Sequence, residues 1–174
     1  SDVCSSDLVK HQRPIGRKVA VREPLPLRGE IELVVRGGPR VRRIAVRNTI
    51  LYTGRNALLY LLAQTSGAPT DWKLARLIPG TNGTPPTPGD TGAFAPVGTS
   101  DQIVLTSPDV VVSPGTGELI VTGTLLSTQA NGQDLREIVL AMGNGEPFAR
   151  QVHPTVSKAS PLTVTYTWRI AVTS

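Results

Sequence analysis

The most regular hydrophobic pattern in the chain is its last strand-like stretch, where apolar and polar residues alternate from Leu162 to Ala171. Leu162, Val164, Tyr166, Trp168 and Ile170 fall on one face, and Thr163, Thr165, Thr167 and Arg169 on the other. Period-2 alternation rich in β-branched and aromatic residues predicts a half-buried strand, with Tyr166 and Trp168 in the core. Pro161 starts it, at a position where no ladder bond is lost. Gly117 to Leu126 repeats the pattern, with Leu119, Val121, Gly123 and Leu125 on one side and Glu118, Ile120, Thr122 and Thr124 opposite. Asn131-Gly132 is a turn dipeptide that tolerates positive φ. Leu135 to Met142 predicts the next strand, and Gly143-Asn144-Gly145 a hairpin returning along Pro147 to Val152. Glu137 interrupts that strand. Its carboxylate is either edge-facing or partly buried and bonded to backbone amides, and a structural role is favoured over a functional one, because a single acid without a partner rarely makes a site.

The same alternation marks a hairpin near the start. Glu30 to Arg36 leads into Gly37-Gly38-Pro39 and returns along Arg40 to Arg47, with Ile31, Leu33 and Val35 inside and Val41, Arg42 and Arg43 opening the return. One helix is predicted over about 53–64. Thr53 is its candidate cap, and Ala57, Leu58, Leu61 and Leu62 form an apolar stripe that Leu59 and Tyr60 widen. A lipid-binding role is disfavoured for it, because its polar face carries no basic residue beyond Arg55. Trp72 to Ile78 is a further strand, and Asp101 and Asp109 flank another apolar one.

The pattern therefore predicts a mainly β chain: an antiparallel β-sandwich with one packed helix, forming a single domain over 27–174. Seventeen Gly and 15 Pro suit many short strands joined by tight turns. No apolar run approaches the roughly 18 residues that span a bilayer as a helix. The loop from Pro79 to Pro96 is rich in Gly, Thr and Pro. No Gly-Lys-Ser/Thr follows its glycines, so it is not a phosphate cradle. A loop of this length is functional or mobile, and an inter-subunit contact through Thr84, Pro85 and Pro86 is its expected role.

Charge adds a second feature. Between Lys10 and Arg47 eleven Lys or Arg face only Glu23, Glu30 and Glu32, a surplus of +8 in a chain of formal charge +5. Residues 9–26, with Pro14, Pro24 and Pro26 and little periodicity, are expected to form a basic extended arm that reaches a neighbouring subunit. Arg13, Arg17, Lys18 and Arg22 in the arm, and Arg40, Arg42 and Arg43 in the hairpin, are the candidate assembly contacts. Nucleic acid is a weaker candidate partner, because no aromatics interleave with the arginines to stack on bases. Residues 1–8 resemble the translation of a sequencing-library adapter and are set aside as an artefact. With them goes Cys4, the only cysteine.

Catalytic chemistry finds few groups to use. His11 lies in the arm, and His153, just before Pro154, is expected on a surface loop. No His, Cys or carboxylate set has metal-ligand spacing, so no cofactor, metal or catalytic residue is assigned.

Three segments in order, Asn48 to Gln64 ("NTILYTGRNALLYLLAQ"), Gly80 to Gly92 ("GTNGTPPTPGDTG") and Ala130 to Ile170, resemble small structural proteins of tailed bacteriophages. The pattern is most similar to tail-fibre or tail-collar attachment domains. The chain departs from it at Gln129-Ala130, where Glu usually precedes Asn-Gly, and at Val139-Leu140-Ala141. The resemblance implies a non-enzymatic virion protein that assembles with itself or with neighbouring virion proteins as a tail, baseplate or fibre-attachment component. A capsid decoration protein, or a carbohydrate- or nucleic-acid-binding module, is the alternative.

Overall fold

The computed structural model describes residues 27–63 and 70–172. Arg13, Arg17, Lys18 and Arg22, the adapter-like segment 1–8 and the expected arm over 9–26 lie outside the described residues. Among the described residues ten strands form two antiparallel five-stranded sheets. The first sheet is built from β1 (Leu27–Arg36), β2 (Arg42–Arg47), β6 (Val110–Ser113), β7 (Glu118–Leu125) and β10 (Thr163–Val172), in the order β2-β1-β10-β7-β6. The second contains β3 (Thr49–Ile50), β4 (Leu74–Gly80), β5 (Ile103–Val104), β8 (Asp134–Met142) and β9 (Pro147–Ser157), in the order β3-β9-β8-β4-β5.

Alternation sets which side chains enter the space between the sheets. Ile31, Leu33, Val121, Leu125, Val164, Tyr166 and Trp168 project inward from the first sheet and are fully buried. Leu77, Leu135, Ile138, Leu140, Met142 and Phe148 meet them from the second. The register pairs Trp168 with Ile31 on one side and Val121 on the other, so the terminal strand is central to its sheet. Gly123 lies opposite Tyr166, and a Cβ there would meet the ends of Leu77 and Ile103 at 2.7 and 2.9 Å. The missing side chain makes room for the facing sheet.

The middle of the second sheet is buried on both faces. From Glu137 to Met142 every residue is shielded from solvent, although the strand is antiparallel. One-sided antiparallel strands alternate between buried and exposed positions, so a continuous buried run means a covering layer. Residues 81–96 supply it, lying over the outer face at Glu137 and Arg150.

The helix α1 runs Tyr52–Ala63, one residue earlier than expected at its start. Thr53 is not its cap. It lies inside the first turn and donates its hydroxyl to the Pro147 carbonyl, tying the helix to β9. Of the expected stripe, Ala57 is buried, Leu58 half-buried and Leu61 exposed. The side chains of Tyr60 and Leu62, and the expected end at Gln64, lie outside the described residues. Three other boundaries differ. Trp72 closes a 3-10 turn, and β4 begins only at Leu74. The strand expected between Asp101 and Asp109 is two residues long, because each aspartate ends a 3-10 turn of its own. β9 continues past Val152 through Pro154 to Ser157, beside a register shift between Leu135 and Glu137. Proline is tolerated at such an irregularity, where the ladder is already interrupted.

Gly54 decides how closely α1 approaches β9. A Cβ there would lie 2.2 Å from the Phe148 carbonyl oxygen and 2.9 Å from its carbon. Alanine favours a helix over glycine by about 1 kcal/mol, but a clash with rigid backbone costs about 1–3 kcal/mol. Gly54→Ala is therefore expected to lower the urea midpoint despite its better helix propensity, whereas an unchanged or higher midpoint would show that the helix is not held at this distance.

Candidate functional site

The densest concentration of polar chemistry is buried under the long loop. Arg150 on β9 and Glu137 on β8 both have no exposed side-chain surface, and Asp90 from the loop is nearly as buried. Arg150 Nε donates to Glu137 Oε2 at 2.9 Å, Nη1 to Asp90 Oδ2 at 2.9 Å, and Nη2 to the Thr84 carbonyl at 3.0 Å. The Phe94 ring stacks on the guanidinium, 4.2 Å from centroid to Cζ.

One guanidinium faces two carboxylates, so the cluster needs further donors to hold its charge. Glu137 receives the backbone N–H groups of Ala95 at 2.9 Å and Phe94 at 3.3 Å. Asp90 receives the Thr87 hydroxyl at 2.6 Å and the Thr87 amide at 3.1 Å. Burial pushes the Asp90 carboxyl up, but the bonds from Thr87 and Arg150 outweigh it and hold the group below its ordinary value. Of the two readings open for Glu137, the structure gives the buried one. Every partner is consumed within the fold, so the cluster acts as a staple that fixes the loop.

A second buried cation fixes another turn. Lys158 donates to Asn131 Oδ1 at 3.0 Å and to the Ser127 carbonyl at 3.3 Å. This turn contains Ala130 at φ 51° and Gly132 at φ 83°, in line with the expected Asn131-Gly132 turn.

His153 is corrected by the structure. It is not in a surface loop but on β9, 4% exposed, with its ring centroid 6.1 Å from that of Tyr166. Its Nδ1 lies 2.9 Å from the Pro154 carbonyl, which makes that nitrogen the protonated one. Burial pushes the imidazole below its usual value, against the pull of Pro154 and Glu137. Pro154 reads as the end of a strand, so the residue pattern could not reveal this; β9 runs on past it, through a register shift in its pairing with β8.

The expected assembly residues divide between the hairpin and the loop. Arg40, Arg42 and Arg43 are exposed, and Arg40 and Arg42 flank a small groove floored by Val35, Val156 and Leu162. Arg43 pairs with Glu32 at 2.8 Å. On the loop, Thr84 and Pro85 are exposed and Pro86 is half-buried, although the Thr84 carbonyl points inward to Arg150. The loop thus packs its inner side on its own sheet and leaves its outer side, from Gly83 to Pro96, largely exposed.

One feature had no counterpart in the sequence reading. An open groove of about 660 Å³ runs between α1 and β6, lined by Leu58, Leu61, Trp72, Leu105, Val110 and Val112 among others. Val112 is 66% exposed and Val111 50% exposed. The signal was available in Val110-Val111-Val112, but three adjacent valines have no alternation to say which of them faces out.

Among the described residues no group of three His, Cys, Asp or Glu converges as a metal site, and no helix is long and apolar enough to cross a membrane. No family model, no curated protein and no solved structure matches this chain. The tail-fibre resemblance therefore rests on the residue pattern alone.

Two expectations follow from the buried charges. Arg150→Met leaves two buried carboxylates without their cation and is expected to cost about 3–5 kcal/mol. Denaturant unfolding should show this loss, together with new proteolytic cleavage between residues 81 and 96. Glu137→Gln, which keeps one acceptor oxygen and leaves Arg150 paired with Asp90, should cost less; equal stability of Arg150→Met and the wild type would refute the staple.

The pH dependence has a definite sign. Asp90 titrates lower in the folded chain than its ordinary 3.8, so its contribution is complete above about pH 4 and drains as pH falls through the folded value. His153 is held neutral, so the unfolded chain takes up its proton first. Stability is full above 6.5 and declines as pH falls below it. Melting temperature against pH should therefore fall in two stages, with His153→Gln flattening the upper stage and Asp90→Asn the lower.

Proposed function

We propose that this protein is a structural subunit of a tailed-phage particle, assembling with copies of itself as a tail, baseplate or fibre-attachment component. The observation that carries the reading is the apolar groove at the β6 corner, where Val112 and Leu61 are exposed in a lining shared with Leu58, Trp72, Leu105 and Val110. Clustered exposed apolar residues mark contact surfaces, whereas single ones are ordinary. The ionisable groups support the same view. The most concentrated set, Arg150 with Glu137 and Asp90, is closed off from solvent and spent on architecture.

A nucleic-acid partner is less well supported. On the outer face of the first sheet Arg43 and Arg47 alternate with Glu32 and Glu30 across the β1–β2 ladder, so the face carries both signs. Backbone-phosphate binding calls for a one-sign patch.

Size-exclusion chromatography with light scattering on the whole chain, over a wide concentration range and under reducing conditions so that Cys4 cannot cross-link, tests the reading. A mass rising to a multiple of the protomer is expected. A protomer mass at every concentration overturns self-assembly.

A further inference from the structure

Among the described residues the first sheet ends in two unpaired edge strands of different chemistry. β2 presents Arg42, Arg43 and Arg47 and no acid. β6 presents valines, starts beside Asp109, and pairs at Ser113 with Glu118 of β7. Natural edge strands are usually blunted by charge, proline or brevity. β2 is guarded by arginine, while β6 has only its shortness.

Direction and facing limit how copies can meet. Each of the four steps from β2 through β1, β10 and β7 to β6 is antiparallel, so β2 and β6 run the same way. A second copy set beside the first without being turned over thus brings β2 parallel to β6, with both inner faces on one side. Ile44 and Val46 pack toward the core of β2, as Val110 does on β6, and Val112 lines the groove beside it. Sliding the strands so that Ile44 meets Val110 and Val46 meets Val112 places small Ala45 against Val111. The same offset puts Arg43 beside Asp109 and Arg47 beside Ser113, next to Glu118.

Electrostatics separates this from the symmetric choices. Pairing β6 with β6 about a two-fold brings Asp109 toward Glu118 of the other copy, and pairing β2 with β2 opposes arginines to arginines. Like charges across neighbouring strands are destabilising and opposite ones favourable. Each edge repels its own kind and attracts the other.

We propose that copies join head to tail by continuation of the first sheet, the β2 edge of one copy lying parallel to the β6 edge of the next. The inference rests on the assembly reading above and specifies its contact. Such an interface is heterologous, so it closes into a ring or extends as a filament. The ladder is short and buries less than the roughly 1,000 Å² of a permanent contact, which makes association concentration-dependent.

Complementation of two blocked edges tests it. Val112→Lys blocks β6 and leaves β2 intact; Val112 is mostly exposed, so the fold tolerates the change. Ala45→Lys blocks β2 and leaves β6 intact, and the new lysine gains Glu32 as its cross-strand neighbour. Each variant, shown folded by an unchanged melting transition, is expected to associate at least about ten-fold more weakly than the wild type. Their equimolar mixture should form a heterodimer and nothing larger, because only one compatible pair of edges remains. Failure of the mixture to dimerise, or association of both variants as strong as wild type, overturns the edge contact while leaving self-assembly in place. An associated Ala45→Lys beside a monomeric Val112→Lys overturns it in favour of the two-fold β6 contact. A wild type that stays monomeric overturns both this inference and the reading beneath it.

Discussion

A guanidinium sealed away from water must have its donors satisfied, and in this protein that requirement dictates the path of the longest loop. Arg150 sits on the outer face of the second sheet, where an arginine would ordinarily point into solvent. It is instead covered by residues 81–96, which bring it Asp90, the Thr84 carbonyl and the Phe94 ring. Replacing a buried ion pair by apolar groups is often neutral, whereas losing one partner is costly. The cluster's value thus lies in specifying one loop conformation. Its energy does not need to exceed that of a hydrophobic patch for it to do so.

That staple makes the two sheets unlike each other. The middle of the second sheet is sandwiched between the core and the loop, so that β8 has no free face from Glu137 to Met142. The first sheet keeps an outer face of threonines and mixed charges, with the Thr124 and Thr165 hydroxyls bonded across strands at 3.0 Å. The first sheet also ends in two exposed strands whose charges differ. With one layer covered by its own loop, the strand edges and outer face of the other stay open, together with the corner where α1 leaves apolar side chains uncovered.

The sequence made legible whatever depended on neighbours in the chain. The alternation in β10 and β7 identified Val164, Tyr166, Trp168, Val121 and Leu125 as core, and all five are fully buried. The two glycine turns and the β1–β2 hairpin were legible for the same reason. What stayed hidden depended on distant partners. Glu137 could be recognised as an anomaly in an apolar strand, but its cation lies 13 residues away and the third charge a further 60 residues back from that cation. His153 was misplaced because proline normally ends a strand, and the shifted register that accommodates Pro154 is a property of the pairing with β8. The open corner at β6 was hidden as well, since three consecutive valines are equally consistent with a buried strand and an exposed edge.

Gly80 joins the loop's composition to the charge cluster. It pairs with Glu137 in the ladder between β4 and β8, and a Cβ there would lie 2.5 Å from Glu137 Oε1 and 2.7 Å from the Ala95 carbonyl oxygen. Its φ is not in the left-handed region, so backbone freedom is not the reason glycine is needed. Space is the reason: the carboxylate must lie flat across this position to reach the amides of Phe94 and Ala95. The Thr81 amide bonds to the Ala95 carbonyl and the Val97 amide to the Pro79 carbonyl, both at 2.9 Å, so the loop leaves and returns through one narrow gate at Gly80. A side chain at that gate would displace the carboxylate, and with it the partner that Arg150 requires. Glycine at the mouth of the loop and charge beneath it are therefore a single constraint, expressed once in composition and once in packing.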